Sequence, residues 1–264
     1  NYFLMKKKIA ILGSTGSIGE NTLKIIKSDK KNFDVVLLST NKNINRVLKQ
    51  AKEFKVKNII ISDLKSFQKA KLKIKNSKIK IFNRFDVFNK VFKKKNDFIM
   101  CSITGLEGLQ PTLESIKHTK NILIANKESI ICGWNLIKRE LIRYKTKFIP
   151  VDSEHFSIWS LLQNNKISNI DKIYITASGG PFLKLPKSKF KKIQIKKALK
   201  HPNWKMGKKI SIDSATLMNK LFEVIEAKNI FNIDYKKIFI LVHPDSYVHA
   251  IIKFKNGLTK ILIH

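Results

Sequence analysis

Cysteine, arginine and acid are all scarce in this 264-residue chain, and each scarcity closes off a class of protein. Two cysteines, Cys101 and Cys132, can build neither a disulfide framework nor a thiolate zinc site. Both sit in apolar company (FIMCSI, SIICGW) and read as buried, reduced thiols. No uncharged apolar run approaches the ~18 residues a membrane helix needs, so a soluble chain is expected. The opening KKKIAIL resembles the basic start of a signal peptide, but its apolar stretch is too short for one. Ten glycines and six prolines exclude collagen-like and low-complexity chains, while 43% hydrophobic residues can fill one large core or two smaller ones.

Nineteen acids face 53 basic residues, a formal net charge of +34 that by itself argues for a polyanionic partner. The kind of base weakens that argument, because only 4 of the 53 are arginine, the residue whose planar fork reads phosphates and base edges. Lys, Ile and Asn make up 111 of the 264 residues, as AT-rich codon usage would give. The lysines are spread along the chain, densest at 69–80 (KAKLKIKNSKIK) and 187–197 (KSKFKKIQIKK), with no aromatics interleaved for base stacking. They read as solvated faces, and neither a nucleic acid nor a membrane is expected as partner.

Through residue 145, short β-branched runs alternate with helical patterns, as a parallel sheet requires. IAIL (9–12) precedes a helix near Ser17 to Ser28, and FDVVLLS (33–39) precedes one with Ile44, Val47, Leu48, Ala51 and Phe54 on one face. NIIIS, KIKIF, DFIMCSI and NILIAN continue the alternation. The expected class is α/β: a Rossmann-type, doubly wound parallel sheet over 1–145, followed by an α+β domain over 146–264. In the second part FIPVDS, KIYITAS, KISIDS and IFILVH read as strands, and YVHAIIKF meets LTKILIH across an Asn256-Gly257 hairpin turn.

GSTGSIG, Gly13 to Gly19, lies between a buried strand and a helix start, where a glycine turn and unpaired helix N–H groups can carry a dinucleotide pyrophosphate. At the end of the second strand, where an NAD enzyme places an acid for the ribose, this chain has Thr40-Asn41-Lys42-Asn43. With no carboxylate to repel a 2′-phosphate, NADP is preferred. Asp152 and Glu154, at i and i+2 near a strand end, project to one side if the strand persists. Asn219, Lys220 and Glu223 share one surface of a helix whose other face carries Leu217, Leu221 and Val224. Carboxylate oxygens without cysteine favour Mg²⁺ or Mn²⁺ over Zn²⁺. Ser178-Gly179-Gly180-Pro181 and Ser211-Ile212-Asp213-Ser214 follow strands and could offer hydroxyls and N–H groups to a phosphate, with Asp213 or Ser214 equally readable as a plain N-cap; HPNWKMG (201–207) suits either a lid over the substrate or a loop that Trp204 anchors to the core.

Taken together, GSTGSIG, LIANKES (123–129), PVDSEH (150–155), ASGGPF (177–182), HPNWKMGKKISIDSATLMNK (201–220) with Glu223, and VHPDSYVH (242–249) resemble the 1-deoxy-D-xylulose 5-phosphate reductoisomerase family, in the family's order and over nearly the whole chain. The resemblance implies an NADPH-dependent oxidoreductase of non-mevalonate isoprenoid synthesis, using Mg²⁺ or Mn²⁺, with Co²⁺ as a further option. Residues matching Gly13, Thr15, Gly16, Ser17, Ile18, Asn41, Lys42, Asn43, Asn126, Lys127, Glu128 and Gly207 then bind the cofactor. Asp152, Glu154 and Glu223 match the metal ligands. Ser153, Ser178, His201, Trp204, Ser214, Asn219 and Lys220 match substrate contacts, joined by Glu154, Glu223 and Lys127, the last near the reacting centre. It further implies a phosphorylated sugar as substrate, a homodimer in the full-length protein and a bacterial cytoplasmic location rather than a plastid. The family usually reads NKG where this chain has Asn219-Lys220-Leu221, and it continues past His264, so the chain reads as a fragment without the C-terminal helical domain. A non-isomerising NADP dehydrogenase is the competing enzyme reading, and a basic nucleic-acid-binding protein the competing reading from another class.

Overall fold

The computed structural model describes residues 5–74, 77–201 and 207–263. Trp204 and the rest of 202–206 lie outside the described residues. The chain divides into two compact units, Asn1–Ile149 and Pro150–His264.

The first unit alternates β1 (Lys7–Leu12), α1 (Ser17–Ser28), β2 (Phe33–Thr40), α2 (Ile44–Glu53), β3 (Asn58–Ile61), α3 (Leu64–Lys73), β4 (Lys80–Phe82), α4 (Phe88–Val91), β5 (Asn96–Cys101), α5 (Leu109–Ile116), β6 (Thr119–Ile124), α6 (Lys127–Tyr144) and β7 (Lys147–Pro150). Its sheet has the order β4-β3-β2-β1-β5-β6-β7, bonded in parallel from β4 through β6. Strand order runs outward from β1 to β4 and then resumes on the other side of β1. That reversal leaves a crevice at the carboxyl ends of β1 and β5, where ligands of open α/β sheets bind. The isoleucine-rich centre of the sheet is buried on both faces, as helices on either side require. FIPVDS was expected in the second domain, yet its strand, β7, is the seventh of this sheet.

In the second unit α7 (Ser153–Leu161), β8 (Ile170–Ala177), α8 (Ile195–Ala198), α9 (Lys208–Ala215), α10 (Met218–Phe231), β9 (Ile238–Val242), β10 (Val248–Phe254) and β11 (Thr259–Ile263) build a sheet of order β11-β10-β8-β9. β8 runs parallel to β9 and antiparallel to β10, and β10 pairs with β11 across the Asn256-Gly257 turn. Ile158 from α7 and Ala227 and Phe231 from α10 pack with Ile173, Ile175, Ala250 and Ile252 of the strands into one core.

Three local expectations are corrected. KISIDS belongs to helix α9, so the proposed turn at Ser211-Ile212-Asp213-Ser214 is helical. Its period-2 isoleucines imitate a strand, but Ile212 is exposed while Ser211 is buried, and tertiary packing overrides the pattern. The strand before Asp152 stops at Pro150; Asp152 caps α7 and Glu154 lies in its first turn, so the two acids are placed by a helix start and not by strand alternation. Finally, Cys132 is exposed on α6, whereas Cys101 is buried and burial pushes its thiol up to about 12, which keeps it inert.

Candidate active site

The glycine turn of the first unit is built by absences of side chain. Gly13 has φ +81°, and a Cβ there would lie 2.7 Å from the Ser102 carbonyl oxygen; a Cβ on Gly19 would lie 2.6 Å from Ser14 Cα. Hydrogen bonds fix the turn from behind. Gly13 N–H donates to Ser39 Oγ (2.9 Å), Ser14 N–H to the Ser39 carbonyl (2.8 Å), and the Ser14 hydroxyl to Gln50 Oε1 (2.8 Å), while the Gln50 amide donates to the Ser14 carbonyl (2.9 Å). Thr15 and Thr40 share a hydroxyl bond of 2.8 Å. Gly16 is the N-cap of α1 and makes no side-chain cap bond, so Ser17 and Ile18 open a helix whose first N–H groups no preceding carbonyl can reach. A close-packed glycine turn opening onto the N-terminus of α1 fits a dinucleotide phosphate.

Around that cradle, Asn41, Lys42 and Asn43 follow β2 as an exposed turn. Asn41 donates to Ser62 Oγ (2.9 Å), and Asn43 caps α2 by accepting from Arg46 N–H. Asn126 is buried with its amide committed locally: Oδ1 accepts from Ser129 N–H (2.5 Å), and Nδ2 donates to the carbonyls of Gly105 (2.8 Å) and Ile103. It thereby shapes the 103–105 loop and starts α6, whose first turn carries Lys127 and Glu128. Gly207, the N-cap of α9, has no described residue within 4 Å of where a Cβ would point, so nothing among the described residues requires glycine there.

In the second unit, Asp152, Glu154 and Glu223 bring carboxylate oxygens within 4.8 Å of one another, a spacing that one cation could bridge. They come from two elements, the start of α7 and the middle of α10. Asp152 occupies an N-cap position without making the usual cap bond, which leaves its carboxylate to this cluster. Lys220 Nζ donates to Glu154 Oε1 (2.7 Å) and pairs with Glu223 Oε2; Asn219 donates to Glu223 Oε1 (2.5 Å) and Ser153 to Glu154 Oε2 (2.8 Å). Burial first, then the Glu223 and Asp152 carboxylates, push the Glu154 carboxyl up to about 7. Burial alone would lower the Lys220 ammonium, but Glu223 and Glu154 outweigh it and raise it. Three carboxylates against one ammonium leave the imbalance that a divalent cation would neutralise, and an all-oxygen set suits Mg²⁺ or Mn²⁺.

The polar face of the helix is the buried one, and of the other face only Val224 packs against the core. Lys220 and Glu223 are 6% and 2% exposed, whereas Leu217 and Leu221 are 48% and 50% exposed. Burying charge beneath exposed leucine is costly unless the charges are paired, as they are here. Leu221, in place of the family's usual glycine, is not among the residues lining the neighbouring cleft.

That cleft, open to solvent, is lined by Ser178, His201, Ser214, Asn219 and Lys220, five of the expected substrate contacts. Gly180 approaches α9 closely: a Cβ there would lie 2.8 Å from the Ser214 carbonyl oxygen. Ser178 Oγ lies 3.1 Å from His201 Nε2, and burial lowers the His201 pKa. Leu217 (φ +59°) and Ser246 (φ +57°) also line the cleft in the left-handed region, the kind of strain that gathers at ligand sites. His249 was not singled out from the sequence; its Nδ1 lies 4.0 Å from Glu154 Oε2, and its only signal was a place inside VHPDSYVH.

The family model described as 1-deoxy-D-xylulose 5-phosphate reductoisomerase matches residues 9–133, and that of the family's C-terminal domain matches 148–231. The reductoisomerase of Pelagibacter ubique (strain HTCC1062) is 64% identical over 260 residues, covering 98% of this chain and 67% of that protein. The chain belongs to the 1-deoxy-D-xylulose 5-phosphate reductoisomerase family. The family's protein from Clostridium tetani is 42% identical over 95% of this chain and 66% of its own, so the chain spans about two thirds of the length of these relatives. Among solved reductoisomerase structures, one from Zymomonas mobilis in complex with NADPH has 33% identity and a TM-score of 0.86, covering 98% of this chain and 67% of that one. Another, in complex with NADPH, fosmidomycin and magnesium, has 31% identity and a TM-score of 0.90, covering 97% and 66%. An archaeal homoserine dehydrogenase, 15% identical with a TM-score of 0.57, shares the fold alone.

Proposed function

We propose that the protein isomerises and reduces 1-deoxy-D-xylulose 5-phosphate to 2-C-methyl-D-erythritol 4-phosphate, taking a hydride from NADPH and a proton from solvent and requiring a divalent cation. The observation that carries this reading is the convergence of Asp152, Glu154 and Glu223 beside a cleft lined with hydroxyl, amide and ammonium groups.

When bound, the cation supplies Lewis-acid polarisation of two vicinal substrate oxygens, and NADPH supplies the hydride. Asp152, Glu154 and Glu223 hold the cation. The turn from Gly13 to Ile18 carries the pyrophosphate, and Asn41, Lys42 and Asn43 favour the 2′-phosphate. Asn126, Lys127 and Glu128 at the α6 start match the family's cofactor contacts, and Lys127 matches its lysine near the reacting centre. Ser178, Ser214, Asn219 and Lys220 grip the substrate phosphate, and that remote binding energy helps align the reacting carbons. His201, its pKa lowered by burial, serves to position substrate rather than as the main base, because the cation carries most of the polarisation. Ser153 orients Glu154 through its hydroxyl bond.

No helix among the described residues is long and apolar enough to cross a membrane. Bacterial relatives support a cytoplasmic enzyme, and the exposed edge strand β9 supports a homodimer of the full-length protein. The deciding assay is NADPH oxidation by the full-length protein with 1-deoxy-D-xylulose 5-phosphate, with and without Mg²⁺. Turnover that persists in EDTA would replace this reading with the non-isomerising dehydrogenase.

A further inference from the structure

Behind the carboxylate cluster lies a second buried pair that the proposed mechanism does not use. His155 sits one helical turn after Asp152 on α7, and Glu226 one turn after Glu223 on α10; both are fully buried. The imidazole of His155 spans the two helices. Its Nε2 lies 2.9 Å from the backbone carbonyl of Glu223, and since a carbonyl only accepts, Nε2 carries the hydrogen and donates. Its Nδ1 then faces Asp152 Oδ1 at 3.9 Å and Glu226 Oε2 at 4.0 Å, with no hydrogen-bond partner among the described residues. One ring therefore touches the main chain of one expected cation ligand and faces the carboxylate of another.

We propose that His155 and Glu226 are positioning residues. Glu226 sets the orientation of the His155 ring, and the ring holds the Glu223 main chain and the Asp152 carboxylate at the separation the cation requires. Asp152, His155 and Glu226 could themselves enclose an ion, since their donor atoms lie within 4.8 Å of one another. Access argues for the positioning role. The Asp152 and Glu154 side chains retain 20% and 12% exposure, room for the waters a hard cation keeps, whereas His155 and Glu226 have essentially none. Losing an outer-shell group that holds a metal ligand in place typically weakens metal binding roughly 10- to 100-fold.

This inference rests on the reading of Asp152, Glu154 and Glu223 as the cation site, and Mn²⁺ binding to the full-length protein separates the two. Electron paramagnetic resonance titration should find one Mn²⁺ per wild-type chain. Glu226→Gln and His155→Gln should each raise its Kd by about 10- to 100-fold, with the double variant no worse than the weaker single. NADPH affinity, read by fluorescence, stays unchanged, and kcat recovers at saturating Mn²⁺. Where Glu226→Gln does not fold, Glu226→Asp carries the same measurement. Wild-type Mn²⁺ affinity in both single variants, or additive losses in the double, overturns the positioning pair. So does a second Mn²⁺ per wild-type chain that Glu226→Gln removes, which would make these residues ligands. Wild-type Mn²⁺ affinity in Glu223→Gln would instead overturn the cation site itself.

Discussion

Gly19→Ala sets two opposing effects against each other at one methyl group. In a helix interior, alanine is favoured over glycine by about 0.5–1 kcal/mol, so a residue in the first turn of α1 should gain from the change. The contact says otherwise. The new methyl would lie 2.6 Å from Ser14 Cα and 2.8 Å from its carbonyl carbon, with the Gly13 carbonyl oxygen closer still. Ordinary carbon–carbon contact is about 3.5–4.0 Å, so something must retreat by about 1 Å. All three atoms are backbone, and Gly13 and Ser14 cannot retreat freely because Ser39 and Gln50 hold them through four hydrogen bonds. Overpacking costs about 1–3 kcal/mol, and each hydrogen bond broken in relief about 1 kcal/mol more, so the loss exceeds the helix gain. The net penalty of about 1–3 kcal/mol corresponds to a roughly 5- to 150-fold rise in NADPH Kd if it falls on the cradle. If it falls on the fold, it appears as a melting temperature lowered by about 3 °C per kcal/mol. Fluorescence titration with NADPH and thermal melting of the apoprotein read both. Gly16→Ala, whose methyl would meet only the Gly13 carbonyl oxygen at 3.4 Å, should leave the melting temperature near wild type. A Gly19→Ala protein that binds NADPH and melts like wild type would refute the close-approach argument.

Lys220→Gln should destabilise the metal-free protein by up to about 3–5 kcal/mol, because it leaves Glu154 and Glu223 without their buried ammonium. Added Mg²⁺ should then raise the melting temperature of the variant more than that of wild type; an equal or smaller rise would sink the idea that ammonium and cation answer the same charge. His118 packs against Phe88 and Phe92 at 5.8 Å, and burial first, with Lys117 and Lys95, lowers its pKa below 6.5 despite Glu114. The unfolded chain therefore takes up a proton at about pH 6.5 that the folded chain resists, so this contribution to stability is complete above that pH and is lost as pH falls through the folded value. His118→Phe should flatten the acid side of the urea-midpoint profile, and an unchanged slope between pH 7.5 and 5.5 would argue against it. Leu221→Gly should cost about 1 kcal/mol of helix stability and leave the substrate KM alone, since the side chain is half exposed and outside the cleft lining; a shifted KM would place it in the pocket.

Legibility in the sequence followed the range of the interactions. The β1 to α1 turn could be read because period and glycine spacing change within ten residues, and the same local signals marked α2 and the hairpin at Asn256-Gly257. PVDSEH misled because Val151 prolongs a strand pattern that Pro150 ends, while the helix start shows itself only through Asp152 at an N-cap it does not serve with its side chain. In α10, periodicity placed Asn219, Lys220 and Glu223 on one surface and Leu217, Leu221 and Val224 on the other, without showing which is buried. Burial went to Lys220 and Glu223, because Lys220 pairs both with Glu223 and with Glu154, 66 residues earlier in the chain. A sequence window sees the desolvation cost of a lysine or glutamate but not the distant partner that offsets it. His155 and Glu226 were missed for the same reason: each stands three residues after an acid that had been singled out, and only the meeting of α7 and α10 shows that the two offsets face one another. The residues hardest to read from sequence are therefore those whose burial depends on partners from another segment. These same residues gather at the proposed cation site, where paired charges must be held out of water for the chemistry to proceed.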